Sequence, residues 1–277
     1  MLDTHHHLWN YSKEEYGWIP EGSPIEKTFL LPELKAATSE AGVTGTIAVQ
    51  ARQITKESDD LLAIADADEL IRGVVGWVPL IHENVAADLE RLAPQAKFSG
   101  VRHVLQDEPD DYFTRDDFHR GLSLLPRLEL RYDLLLFQRQ LNAGIALVDR
   151  QPELGIIVDH IAKPEAKNGQ IEADWRSGMK ELAMRDNVIG VKFSGLVTEF
   201  NQDSVIDPST IANYFEETLE IFGPERVMFG TDWPVCLLRI DSYKTWADTV
   251  RDLVSPLSSD EREQILQTNG ERAYQLG

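Results

Sequence analysis

The sequence predicts an α/β protein, a single-domain (β/α)8 barrel of the TIM type spanning residues 1–277. Three observations carry this. Eight short apolar runs rich in Val, Ile, Leu and Phe alternate with amphipathic stretches, which reads as a parallel sheet covered by helices and not as an alternating antiparallel one. A polar or aromatic group stands at the end of nearly every run, where a barrel collects its functional side chains. The length of 277 residues is close to the roughly 250 typical of such barrels. The rival, an open doubly wound sheet, would carry a G-x-G-x-x-G turn after its first strand, and none stands there.

Residues 2–8 form the first strand. Pro32 at the first helical position and Gly42 just past the last turn bound a helix over PELKAATSEAG, and TGTIAVQ, ending at Gln50, is the second strand. The unit repeats with helix 59–70, strand 71–78, helix 84–92 and strand 100–105. A helix over 115–130 is interrupted by Pro126; YDLLLF, ending at Phe137, is the fifth strand, and a helix to Gln151 follows. GIIVDHI, a helix over 174–185, VIGVKFSG, a helix over 209–222 and RVMFGTDW complete eight units. From Asp241 onward one or two helices are expected to pack back on the barrel, with Ser258 or Ser259 as N-cap before ERE. The connection over 11–31 is long for a βα loop and carries Trp18, Pro20 and Pro24, so a lid or substrate wall is expected of it.

Hydrophobic residues make up 42% and charged residues 27%, the balance of a folded chain with a sizeable core. Lys and Arg number 27 against 47 Asp and Glu, and the net charge of −20 repels phosphate backbones and anionic lipid. Nucleic acid and membrane are therefore not expected as partners. The sole cysteine, Cys236, cannot close an internal disulfide, residues 1–30 lack a basic segment followed by an apolar run, and no stretch approaches ~18 uninterrupted apolar residues. A cytoplasmic location is the expectation.

Side chains alternate faces along a strand, so in Asp3-Thr4-His5-His6-His7 the residues Asp3, His5 and His7 are expected on one face and His6 on the other. Two imidazoles then enter the barrel together. Three histidines inside an apolar strand that begins LDT and ends LW are not the pattern of a tag remnant. Gln50, Trp77, Arg102, Gln138, His160, Lys192 and Asp232 stand at the other strand ends. Singly, each has a structural explanation: Arg102 and Lys192 as solvated charges, His160 as a hydrogen-bonded core histidine, Asp232 as the turn former before Trp233-Pro234. Matching positions on all the strands favour a shared catalytic face.

The opening D-x-H-x-H, VDHIAKP around His160, GVKFSGLVTE around Lys192 and FGTDWP around Asp232 resemble, in that order, the amidohydrolase superfamily. Within it the chain is most similar to the lactonase branch, the sugar-acid lactonases of L-fuconolactonase and L-rhamnonolactonase type, and more distantly to the pyrone-dicarboxylate lactonases. The resemblance runs from residue 3 to the last helix. It implies a hydrolase of carboxylic esters whose partner is a small sugar lactone, with self-association left open. Superfamily members with two metals carry a carboxylated lysine on the fourth strand and a histidine on the fifth, where Arg102 and Gln138 stand here, so a binuclear centre is not expected. Two cofactor states stay open. Either one divalent cation, zinc first, is held by His5, His7, His160 and Asp232, or none is, since Lys192 in the same cavity would repel a dication and similar lactonases include enzymes held to work without metal.

Ester ring opening needs an activated water, a stabilised oxyanion and a protonated leaving alkoxide. The expected roles are Asp232 as general base, and His5, His7 and His160, or a metal they hold, as carbonyl polarisers. Arg102 and Lys192 would steady the oxyanion and product carboxylate, Gln50 and Gln138 would meet sugar hydroxyls, and Trp9, Trp77 and Trp233 would form flat apolar walls. Three other functions use related parts: a lactone isomerase, a metal-dependent decarboxylase of the same barrel superfamily, and a sugar-acid binding protein that has lost its chemistry.

Overall fold

Short runs of β-branched and aliphatic residues, each too brief to bury itself alone, pair side by side in sequence order. In the computed structural model, which describes residues 1–166, 170–201 and 204–277, the strands are β1 (Leu2–His6), β2 (Gly45–Val49), β3 (Ile71–Gly76), β4 (Phe98–Val104), β5 (Arg131–Leu135), β6 (Ile156–Val158), β7 (Val188–Phe193) and β8 (Val227–Phe229). Each pairs in parallel with the next in one eight-stranded sheet. Residues just past β8 close the sheet on β1: Asp232 N donates to His5 O at 2.8 Å, and His7 N to Trp233 O at 2.7 Å. The architecture is the expected (β/α)8 barrel.

The helices α1 (Leu31–Ala41), α2 (Thr55–Asp66), α3 (Val85–Leu92), α4 (Asp116–Leu122), α5 (Leu141–Asp149), α6 (Ala173–Ala183), α7 (Pro208–Phe222) and α8 (Tyr243–Val254) form the outer layer. Gly42 ends α1 at φ 64, a conformation open to glycine without strain. α2 begins before the expected 59 because buried Glu57 accepts the N–H groups of Ala51 and Arg52 at 3.1 and 2.6 Å, which anchors its first turn. The helix expected over 115–130 stops at Leu122, and Pro126 starts a separate short turn. Ser258 caps α9 (Ser259–Glu263) in a capping box with Glu261, and a π turn over Gln264–Thr268 leads into α10 (Asn269–Ala273). No helix among the described residues is long and apolar enough to cross a membrane.

Leu2, Ile47, Val49, Val75, Ile157 and Met228 fill the lower barrel, and Ala273 and Tyr274 of the C-terminal segment pack against them as a floor. Each such large side chain contributes about 1.5–3 kcal/mol by burial. The upper barrel, by contrast, is polar.

β6 and β8 are shorter than the apolar runs that predict them, because their polar ends leave the extended backbone. His160, Ile161, Ala162 and Lys163 lie at φ 52, 47, 58 and 41, and Asp232 at φ 57. A left-handed non-glycine residue costs on the order of 1–2 kcal/mol, so such a run persists only where its surroundings hold it. Trp175 Nε1 donates to Ile161 O at 2.7 Å. Gln138 N donates to Lys163 O at 3.2 Å, which ties the end of the turn to the β5 loop.

Candidate active site

Strand β1 delivers its histidines as alternation requires. His5 and His7 enter the barrel with their Nε2 atoms 3.3 Å apart, while the His6 ring meets Thr46 Oγ1 of β2 at 3.1 Å. Asp3 departs from the expectation that it shares the face of His5. Its carboxylate accepts Tyr243 Oη of α8 at 2.8 Å and Thr231 Oγ1 at 2.6 Å, in the layer between sheet and helices. The pairing of β1 with β2 shifts register between Asp3 and His6, which breaks strict alternation there.

The left-handed turns after β6 and β8 aim His160 and Asp232 at the same point. Asp232 Oδ1 lies 3.3 Å from His7 Nε2, 3.8 Å from His160 Nε2 and 3.9 Å from His5 Nε2. Arg102 Nη1 of β4 lies 3.2 Å from His5 Nε2. Three expected imidazoles, two from β1 and one from the turn after β6, thus surround Asp232, with Arg102 of β4 beside His5. Gly195, at φ 66, permits this: a Cβ there would stand 2.6 Å from the His160 ring.

Behind this cluster sits a buried charge network. Lys192 Nζ contacts Asp133 Oδ2 at 2.5 Å, Asp159 Oδ1 at 2.9 Å and His5 Nδ1 at 3.1 Å. Asp159 also takes Arg102 Nη1 at 3.1 Å, and Tyr274 Oη rises from the barrel floor to donate to Asp133 at 2.8 Å. Lys192 is fully buried, and these partners surround its ammonium beneath His5. The repulsion expected between Lys192 and a dication is offset by its two carboxylates.

Other expectations are also redistributed. Gln50 is fully buried; its backbone oxygen accepts Arg102 Nη2 at 2.5 Å and its Nε2 donates to Arg102 O at 3.3 Å. Trp77 Nε1 donates to His103 Nδ1 at 3.3 Å, and the Trp233 ring packs on Phe29 and Tyr243. Trp9 alone of the three tryptophans has its ring stacked beside His7, centroids 6.4 Å apart. The loop over 11–31 is folded on itself, with Trp9 N donating to Phe29 O at 2.8 Å and buried Tyr16, Ile19 and Ile25 filling its interior. Gln138 lines a cavity at the ends of β5, β6 and β7, where its Oε1 accepts Glu165 N at 3.0 Å. Asp133, Asp159, Lys163, Glu199 and Tyr274 were not among the residues the sequence singles out.

Burial drives the His5 imidazole well below the usual range against the pull of Asp159, and lowers His160 to about 4 against Asp232 and Asp159. Both rings are neutral at neutral pH. Burial alone would raise the Asp232 carboxyl, but His160, His7 and Lys163 outweigh it, and it ionises below its ordinary value. His7 Nδ1 lies 2.8 Å from Val49 O, an acceptor, which orients the ring so that Nε2 faces Asp232 Oδ1 at 3.3 Å. Among the described residues, ligand atoms of His5, His7 and Asp232 lie within 4.8 Å of one another, as do those of His5, Asp159 and His160. Three imidazoles with one carboxylate, the former held by Val49 O, Ser194 Oγ and Asp159, suit a single divalent ion.

His6 offers a check on how dry this region is. Burial, aided by His7, lowers its pKa to about 3, and Nδ1 has no hydrogen-bond partner among the described residues. The folded chain keeps His6 neutral while the unfolded chain protonates it below ~6.5, so this stability is present above that pH and is lost as pH falls toward 3. Between pH 7 and 5 the wild type is expected to lose about 2 kcal/mol more than His6→Gln, read from urea midpoints. Parallel pH profiles for the two proteins would show that His6 is hydrated.

The chain matches the amidohydrolase family over residues 2–276. An L-fucono-1,5-lactonase of Burkholderia multivorans is 36% identical, with 99% of this chain and 96% of that protein covered. A second L-fucono-1,5-lactonase, from Burkholderia ambifaria, is 33% identical over 88% of this chain and 84% of its own length. A crystal structure of a Burkholderia multivorans amidohydrolase with bound zinc superposes with a TM-score of 0.93 at 36% identity, covering 100% of this chain and 99% of that one.

Proposed function

The chain belongs to the amidohydrolase family, and from that premise we propose that it hydrolyses the ring ester of a sugar-acid lactone with Asp232 as general base. The observation that carries the reading is the convergence of Asp232 Oδ1 and three imidazole Nε2 atoms, all within 3.9 Å, from strands at both ends of the chain.

Asp232 is ionised at neutral pH and so is ready to accept a proton from water as it adds to the lactone carbonyl. The carbonyl oxygen gains negative charge, and in this reading Arg102 Nη1, which lies 3.2 Å from His5 Nε2, donates to it. When the tetrahedral carbon collapses, the ring C–O bond breaks and Asp232 returns its proton to the departing oxygen. The product is the open hydroxy acid. Lys192, Asp133 and Asp159 fix His5 from behind, and Ser194 fixes His160. A divalent ion held by His5, His7, His160 and Asp232 would add Lewis-acid polarisation of the carbonyl.

A screen of aldonolactones with a pH indicator, with and without chelator, tests the reading. Acid release from at least one lactone is expected, with the open acid as the product by NMR. Activity that survives the chelator assigns carbonyl polarisation to Arg102 and the imidazoles; activity lost and restored by zinc assigns it to a bound ion. A shifted lactone as product would make the chain an isomerase, CO2 release a decarboxylase, and protection by a lactone without turnover a binding protein.

A further inference from the structure

Beside the catalytic cluster, the ends of β5, β6 and β7 enclose a cavity of about 420 Å³ whose walls include Phe137, Gln138, Lys163, Pro164, Glu199 and Phe200. The mechanism above uses none of these side chains. Lys163 Nζ and Glu199 Oε1 meet at 2.8 Å at the cavity wall, with side chains only 16% and 13% exposed. Lys163 closes the left-handed turn that begins at His160, and Glu199 follows the loop of Ser194, whose Oγ holds His160 Nδ1 at 2.9 Å. The pair is therefore built from the same two turns that carry the catalytic imidazole.

An ion pair that only joins two loops has no need of a cavity. Among the described residues, the Glu199 carboxylate meets Lys163 and Thr198 Oγ1, the latter at 3.4 Å, both through Oε1, and its Oε2 stands on the other side of the group. Lys163 Nζ lies 5.3 Å from the centroid of the Phe137 ring, which puts an aromatic face beside the pair. A carboxylate accepts from a hydroxyl, an ammonium donates to one, and an aromatic ring packs against C–H bonds. Together they present complementary partners to a polyhydroxylated ring.

We infer that Lys163 and Glu199 form a diol-reading subsite, in which two adjacent hydroxyls of the lactone bridge the ammonium and the carboxylate while the C–H face of the ring lies on Phe137. This rests on the lactonase reading of the neighbouring centre. The pair is a specificity element and takes no part in proton transfer.

The test compares a polyhydroxylated aldonolactone with unsubstituted δ-valerolactone on wild type, Glu199→Gln and Lys163→Met. Each variant is expected to lose about ten- to a hundredfold in kcat/KM on the hydroxylated lactone, chiefly through KM, the size of a lost hydrogen bond to a charged group. On δ-valerolactone both should stay within about threefold of wild type. A loss in kcat shared by both substrates would overturn the inference, since the pair would then act through His160 or Asp232. Unchanged kinetics on both substrates would reduce it to a surface ion pair. Wild-type protein that turns over both lactones equally well removes the subsite alone, whereas wild type that turns over neither removes the lactonase reading as well.

Discussion

Asp232→Asn is expected to lower kcat/KM on the lactone substrate by two to four decades, the contribution of a general base, while the fold persists. The substitution is nearly isosteric, and asparagine accepts the left-handed backbone at φ 57 better than other non-glycine residues, so the loop after β8 need not move. What changes is the chemistry at one point. The carboxylate whose Oδ1 lies 3.3 Å from His7 Nε2 becomes an amide that can neither take the proton of water nor return it to the ring oxygen. Steady-state kinetics give the rate, a thermal melt checks the fold, and zinc content of the purified variant separates loss of the base from loss of a ligand. A variant within tenfold of wild type would remove Asp232 from the role.

Much of the barrel is legible in the chain because its strands are buried on both faces and so read as nearly continuous apolar runs. The ends of those runs are not legible, since the backbone turns left-handed at His160 under constraint from Trp175 and the β5 loop, and at Asp232 against His5 of β1, and no local pattern reveals either. The same limit explains Gln138. With β5 extended to Phe137 it stands at a strand end, but the strand stops at Leu135, and the residue β5 places inside the barrel is Asp133. A signal for Asp133 exists all the same. An aspartate within YDLLLF and a lysine within VIGVKF are opposite charges in strands that must be buried, and buried charges are found paired. Asp159, one residue past β6, shares that logic and continues the inward alternation of Ile157. Lys163 and Glu199 lie in loops, where no periodicity helps and only the fold brings them together.

The Lys192, Asp133 and Asp159 network carries the second large effect. Lys192→Met leaves two carboxylates in a dry barrel with one cation fewer, and removing one partner of such a buried pair costs about 3–5 kcal/mol. For a chain of this size the melting temperature should fall on the order of 10 °C. The cost should depend on pH. Burial already lifts Asp133 above the ordinary carboxylate range against the pull of Lys192, and without the lysine it rises further. A raised carboxyl binds a proton in the folded chain that the unfolded chain releases above ~4, so the deficit against wild type grows as pH rises and shrinks as pH falls from 8 to 5. Lys192→Met with Asp133→Asn should recover part of the loss at pH 8, because the orphaned carboxylate becomes an amide that still accepts from Tyr274. Activity should not recover with stability, since His5 Nδ1 has lost the ammonium that stood 3.1 Å away. Urea denaturation of the three proteins at both pH values decides it: a Lys192→Met deficit below about 1 kcal/mol at pH 8 would mean that the lysine is no anchor for the histidine above it.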